Sequence, residues 1–579
     1  MSQYEALSNE RKLGQENGNI PDWMSTGGWQ MFKEKYLYEA DNPREQFARI
    51  AQTAAKHAPK AFAPGDAELV GDTFMSFETY WTHKFFDVLY KGFVACSTPV
   101  LANMGTNRGC TVSCAGSEVH DSIRGFYENY KEVALLTKEG FGTASDLSPV
   151  RCRGSRISVG GKASGVMPII KHHIQDMRDV AQGTARRGAW AAYLNAQHGD
   201  FWEVIQYLEK HPDGFNIGWI ITDDFIAKLR KRDPEATRRF KRMMKVKMIF
   251  GKGYFFFIDK VNRARPQMYK DLGLMVKASQ LCTEIFLHSD ATKYTYTCVL
   301  AWMNLSKADD WKGTDAVFVA TVFLDCVVSE FIEQASKIEG LEKAVAATKA
   351  GRAIGLGAGG FHTYLQEHDM PFESIDAHMF NASIFKHING QSLEASKWLA
   401  VELGEPEWCK GYGLRFTHRM AVAPTKSTAL IYGGISEGRG ADLAMCFTQK
   451  TSAGDVDRVN APLLALIKRK GLDVETCIQD VVKGYGSVQH VDWLTDHEKD
   501  VFKTAFEIDQ RVVLRYAAVA QGEIDQGQSI NLAFAKNADE RLIAKIHQEA
   551  FMDEKIHSLY YVYSSRSVVS SSSECVSCQ

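Results

Sequence analysis

The chain has 579 residues, 45% hydrophobic and 24% charged, the balance of an ordinary soluble globular protein. A net charge of −2 gives no overall field to attract nucleic acid or an anionic membrane. Twelve cysteines are scattered over a long chain whose start, Met1 to Gln15, is polar and lacks a signal-peptide core. They point to a reducing cytoplasm and away from a disulfide scaffold. The longest apolar stretch, Ala316 to Leu324, is too short to cross a bilayer.

Residues 1–28 read as a polar lead-in. Helical periodicity follows from Trp29 to Leu37 and from Pro43 to Lys60, then an aromatic-rich run from Asp72 to Val94 reads as a buried helix pair. Pro99, Asn103 and Gly105 punctuate a loop after Cys96 whose hydroxyls and N–H groups suit a phosphate. Asp121-Ser122-Ile123 leads into a helix ending near Lys138, and Gly140 opens a turn. Residues 151–165, rich in Arg, Gly and Ser, read equally as an anion-binding loop or a solvated one.

Lys228 to Lys252 holds eleven Lys/Arg and two acids, Asp233 and Glu235. A solvated helical face is the plain reading. A funnel for a phosphorylated substrate is the sharper one, and nucleic acid is discounted because only Phe240 and Phe250 stand among the charges. Gly253 to Asp259 reads as a strand and Thr314 to Gln334 as a long helix. The glycine-dense run Gly351 to Gly360 does not carry a dinucleotide fingerprint. Pro424-Thr425-Lys426-Ser427-Thr428 forms a second turn suited to a phosphate. Asp442 to Ile467 reads as loop then helix, and Asp525 to Asn531 as a polar cluster.

Ser279-Gln280-Leu281-Cys282-Thr283-Glu284-Ile285 sets a thiol two residues from a carboxylate. In extended chain both side chains share one face, an arrangement fit for radical or nucleophilic sulfur chemistry beside a proton acceptor. Alone, Cys282 reads as an inert core thiol. The chain ends in Tyr560-Tyr561, a serine-rich tether, and Cys575-Val-Ser-Cys578. A flexible tether of that length spans about 20 Å root-mean-square, enough to enter a pocket as a thiol–disulfide relay. The competing readings are a metal-binding or disordered end, although one CxxC cannot complete a four-thiolate zinc site.

Thr98-Pro-Val-Leu-Ala-Asn-Met-Gly-Thr106, Ser113-Cys114, Leu281-Cys282-Thr283-Glu284-Ile285, Pro424-Thr-Lys-Ser427 and Tyr560-Tyr561, in this order, resemble the catalytic (large) subunit of a ribonucleotide reductase from about Trp29 onward. The resemblance implies an α/β barrel of ten strands in two five-stranded halves, with Cys282 on a central finger loop. Domains are expected at 1–90 (helical), 91–560 (barrel) and 561–579 (flexible tail). It further implies a thiyl radical on Cys282, Glu284 as the proton acceptor, and Cys114 and Cys298 as the two-electron pair that ends as a disulfide. Cys575 and Cys578 would re-reduce that pair and be reduced in turn by thioredoxin or glutaredoxin. Thr98, Ser113, Gly140 and Pro424, Thr425, Lys426, Ser427 and Thr428 match substrate-holding positions. Asp121, Ser122, Ile123 and Arg151 match an effector site for dNTP or ATP. Gln280 departs from the family's usual Asn, which puts its catalytic role in doubt.

Tyr560 and Tyr561 match a dyad fed by a separate small (beta) subunit that holds a metal-based radical cofactor. The rival is an adenosylcobalamin-dependent reductase, and the non-enzyme alternative is a nucleotide-binding regulatory protein. No metal or resident cofactor beyond nucleotide effectors is expected in this chain, nor an N-terminal ATP cone. A homodimer is expected, with no nucleic acid or membrane partner. Di- and triphosphate substrates both remain open, with diphosphates favoured.

Overall fold

The computed structural model describes residues 3–66, 75–158, 160–182, 186–451 and 454–564. A seven-stranded sheet runs in the order Ser558–Leu559, Tyr254–Phe257, Asn216–Ile221, Trp190–Asn195, Gly142–Asp146, Cys114–Glu118, Tyr296–Cys298. The middle five strands are parallel and the two edge strands antiparallel. Three of the parallel strands, Trp190–Asn195, Asn216–Ile221 and Tyr254–Phe257, are largely apolar, whereas Cys114–Glu118 and Gly142–Asp146 are built from small and polar residues. Helices such as Ile123–Lys138, Phe201–Lys210 and Pro234–Phe250 link successive strands and cover a face. These five strands form one half of an α/β barrel. In the other half, Leu300–Asn304 pairs with Val94–Cys96 and Gly355–Gly359. Bridges then extend that half to Met420, Val422 and Gln528.

Between the halves, a bridge from Val276 to His288 closes the stem of a finger loop. Asn262 braces the stem, accepting from Val276 N at 3.0 Å and donating to Val276 O at 2.8 Å. No helix among the described residues is long and apolar enough to cross a membrane.

Several local expectations needed tertiary correction. The polar lead-in contains a helix, Gln3–Glu16. Its apolar stripe is too sparse to register as periodicity, and polar contacts such as Arg11 to Thr26 (3.1 Å) and Gln15 to Pro21 O (3.0 Å) anchor it. The loop after Cys96 contains a short helix, Thr98–Asn103, because Pro99 lies in its first turn, where a missing N–H costs nothing. The segment from Asp442 begins with a hairpin, Cys446–Thr451 with Gly454–Val459, before the helix Ala461–Arg469. In the basic run, Arg238 and Arg239 pair with Glu235, and Arg242 pairs with Glu209; Arg238 is solvated, whereas Arg239 is largely buried and donates to Ala196 O and His198 O. Lys247 instead turns inward and is fully buried.

Asp325, on the helix Ala316–Ala335, is buried and accepts from Arg352 Nε at 2.8 Å and Arg415 Nε at 3.1 Å. Burial pushes its carboxyl upward, but the two guanidinium groups win and hold it below the usual carboxylate range. Asp325→Ala leaves two buried cations without their counter-charge and costs about 3–5 kcal/mol. Denaturant unfolding measures this as a lower midpoint at unchanged slope.

Candidate active site

The finger loop is not extended at its tip. Thr283 N donates to Gln280 O at 3.2 Å, closing a turn, and Thr283 has φ of +66°. A β-branched residue there is strained by about 1–3 kcal/mol. The turn replaces the alternation expected from residues two apart, so Cys282 and Glu284 are joined by other groups. Ser529 Oγ lies 2.6 Å from Cys282 O and 2.9 Å from Glu284 Oε2. Gly527 N donates to Glu284 O at 2.8 Å, while Tyr193 OH donates to Gln280 O at 2.7 Å. The loop is thus tied to both halves of the barrel. Gly527 makes its contact possible, because a Cβ there would fall 2.3 Å from the ring of Phe286.

Gln280 holds the turn from inside. Its Oε1 accepts from Glu284 N (3.1 Å), Ile285 N (3.2 Å) and Ser279 Oγ (3.0 Å). Its amide nitrogen is buried without a hydrogen bond.

Glu284 is fully buried, and burial pushes its carboxyl up to about 7, with Gln280 and Ser529 beside it holding the rise in check. One hydroxyl proton cannot serve both acceptors of Ser529 at once. A protonated Glu284 resolves this by donating to Ser529 Oγ, which donates to Cys282 O. Once ionised, Glu284 accepts from Ser529 Oγ.

Cys114 and Cys298 lie directly opposite each other on neighbouring antiparallel strands. Such pairs have Cα atoms about 4.5–5.5 Å apart, inside the range of roughly 4.4–6.8 Å that a disulfide accepts. Both are buried thiols, in one apolar cluster with Ile285 and Leu287 of the finger loop. Tyr296, two residues before Cys298, lies over Gly116, where a Cβ would fall 2.1 Å from its phenol oxygen. Burial raises the Tyr296 phenol well above its ordinary pKa, and Tyr193, Cys298, Cys114 and Glu284 are all close enough to add to the rise. The Tyr193 phenol is likewise raised, first by burial and then by Glu284 and Cys282. Tyr193 thus stands at the 280–284 turn and Tyr296 in the cluster of the 114–298 pair. Ser113 Oγ, Tyr296 OH and Gln280 Nε2 are buried without hydrogen bonds. Unsatisfied buried groups carry a cost that a polyhydroxylated substrate would relieve.

Tyr560 is buried and belongs to the same apolar cluster as Cys282, while Tyr561 is half-buried. Their ring centroids are 4.1 Å apart. Lys247 donates to Gly253 O at 2.9 Å and to Tyr560 O, and burial brings its ammonium down to about 7. The one inward-facing lysine of the basic run therefore braces the tyrosine pair.

Thr98 opens the 98–103 helix, with its hydroxyl 3.2 Å from Tyr36 OH. Gly140 has φ of +96° at its turn. Pro424 and Thr425 precede the helix Lys426–Ile431, with Thr425 at φ +58°. Thr425 Oγ1 accepts from Gly438 N, and Thr428 Oγ1 accepts from Trp302 while donating to Thr425 O. These two hydroxyls serve the turn itself. In the expected effector group, Ser122 caps the helix Ile123–Lys138, Ile123 is 72% exposed, and Arg151 reaches Asp121 at 2.6 Å. Cys575 and Cys578 lie outside the described residues. Ser529, Tyr193 and Tyr296 carry no motif of their own. The polar cluster Asp525 to Asn531 contains one of them, Ser529.

Family models described as "Ribonucleotide reductase, all-alpha domain" and "Ribonucleotide reductase, barrel domain" match residues 24–109 and 112–237, 227–411 and 406–562. The chain is 32% identical over 529 residues to a putative ribonucleoside-diphosphate reductase large subunit of Frog virus 3, covering 86% of this chain and 92% of that protein. It is 28% identical over 619 residues to the ribonucleoside-diphosphate reductase large subunit of Invertebrate iridescent virus 3, covering 92% of each. Among solved structures, the Actinobacillus ureae class Id ribonucleotide reductase alpha subunit superposes with a TM-score of 0.83 at 33% identity. That match covers 96% of this chain and 99% of the other.

Proposed function

The chain belongs to the ribonucleotide reductase large-subunit family, and from that premise we propose how its residues divide the reduction of a ribonucleoside diphosphate. The relatives' names support a diphosphate substrate. A small subunit supplies a one-electron oxidising equivalent from its metal site. Tyr561 and then Tyr560 pass it inward, and Cys282 loses a hydrogen atom to become a thiyl radical. The thiyl takes the substrate's 3′-hydrogen and Glu284 takes the 3′-hydroxyl proton. The 2′-oxygen leaves as water. Cys114 and Cys298 supply two electrons and two protons and close as a disulfide, after which Glu284 returns the 3′-hydroxyl proton and Cys282 the 3′-hydrogen. Cys575 and Cys578 then reopen the disulfide, and a thioredoxin-type protein reduces them in turn. Gln280 acts on the loop's conformation and, through its amide nitrogen, on a substrate hydroxyl. Asp121, Ser122, Ile123 and Arg151 take a nucleotide effector.

The observation that carries this reading is the register that sets Cys114 across from Cys298 beside the loop bearing Cys282 and Glu284. Pre-reduced enzyme given substrate, effector and the metal-loaded small subunit, but no external reductant, is expected to make a small burst of deoxynucleotide. Peptide mapping should then find Cys114 joined to Cys298. Full activity of Cys114→Ser and Cys298→Ser would overturn the assignment. Turnover with adenosylcobalamin and no small subunit would overturn the tyrosine route.

A further inference from the structure

We propose that Tyr254 is a third radical-bearing station, sharing the unpaired electron with Tyr561; this rests on the tyrosine route above. Tyr254 is fully buried at the start of the strand Tyr254–Phe257. That strand pairs with Ser558–Leu559 as 256 with 558 and 255 with 559. Continuing the register by one residue sets Tyr254 across from Tyr560. Its ring centroid is 4.7 Å from that of Tyr560 and 5.4 Å from that of Tyr561. Its hydroxyl donates to Tyr561 OH at 3.2 Å. One phenol therefore touches both members of the pair and is hydrogen-bonded to the outer one.

Packing alone does not call for this hydroxyl. The next three residues of the strand, Phe255, Phe256 and Phe257, are all buried without one. Phe256 lies on the same face as Tyr254 and packs against Phe286 of the finger loop at 5.4 Å. A phenylalanine at 254 would fill the same space, whereas a buried tyrosine hydroxyl needs a partner. Here the partner is the phenol proposed to carry the incoming oxidising equivalent.

The chemistry balances without another reagent. The small subunit's metal-based oxidant removes one electron and one proton from Tyr561. One electron and one proton then pass from Tyr254 to Tyr561 along their hydrogen bond, leaving the phenoxyl on Tyr254 and restoring Tyr561. Like phenols make the exchange close to thermoneutral, so the radical is held beside Tyr560 from two directions.

The test uses the full chain with its metal-loaded small subunit, substrate and effector, and places 3-aminotyrosine, a more easily oxidised phenol, separately at positions 254, 560 and 561. An aminotyrosyl radical is expected by electron paramagnetic resonance at all three. Radicals at 560 and 561 but none at 254 would overturn this inference and leave the tyrosine route standing. No radical at any position would overturn the route itself. Tyr254→Phe, which keeps the ring, should lower kcat about tenfold with the nucleotide KM unchanged. An unchanged kcat in that variant would also overturn the proposal.

Discussion

Cys282→Ser should fold, bind nucleotide and effector, and reduce no substrate, with turnover down roughly 10⁴-fold or more. Sulfur and oxygen differ little in size at this 5%-exposed position, so the loop should keep its shape. They differ greatly as radical carriers, because an alcohol O–H bond is too strong for a tyrosyl radical to break. Deoxynucleotide formation measured by chromatography, alongside effector binding by calorimetry, separates lost chemistry from lost folding. Residual turnover near the wild-type level would remove the thiyl assignment.

The second large effect belongs to Glu284→Gln, and it has opposite signs for activity and for stability. Its ionised form is the proposed base, so wild-type kcat should rise with pH through about 7, where this buried carboxyl titrates. The glutamine variant should lose that limb and about 10²–10⁴-fold in kcat. For stability, the folded protein binds this proton more tightly than the unfolded chain, whose value is near 4.5. The contribution is fully present below about 4.5 and is lost as pH rises to about 7, by roughly 3 kcal/mol. Glutamine carries no charge to desolvate. The variant should therefore melt higher than wild type at pH 8, with no such gain at pH 4. Thermal unfolding at the two pH values measures the difference. An unchanged pH–rate profile in the variant would assign the proton acceptor elsewhere.

The helices that register in the sequence are those with a regular apolar stripe, such as Ile123–Lys138, or with a long run apolar on every side, such as Ala316–Ala335. Gln3–Glu16 is missed because tertiary polar contacts hold it. The thiol–carboxylate spacing of Cys282 and Glu284 was legible, but its geometric reading was not. A period of two assumes extended backbone, and the tip is a turn built on a left-handed Thr283. Gln280 looked like a doubtful substrate contact, whereas its carbonyl oxygen spends itself on the N–H groups of the turn.

The sequence by itself determined the inventory: a thiol beside a carboxylate, two adjacent phenols, further cysteines, and the apolar run that becomes the strand Tyr254–Phe257. These are local properties, set by neighbouring residues and by backbone sterics. Only the tertiary structure decided which groups meet. Cys114 faces Cys298 because two strands share a sheet edge, Ser529 reaches Glu284 from 245 residues away, and Tyr254 reaches Tyr561 from 307. Contacts at such separations follow from strand order and register, which no local pattern of side chains encodes.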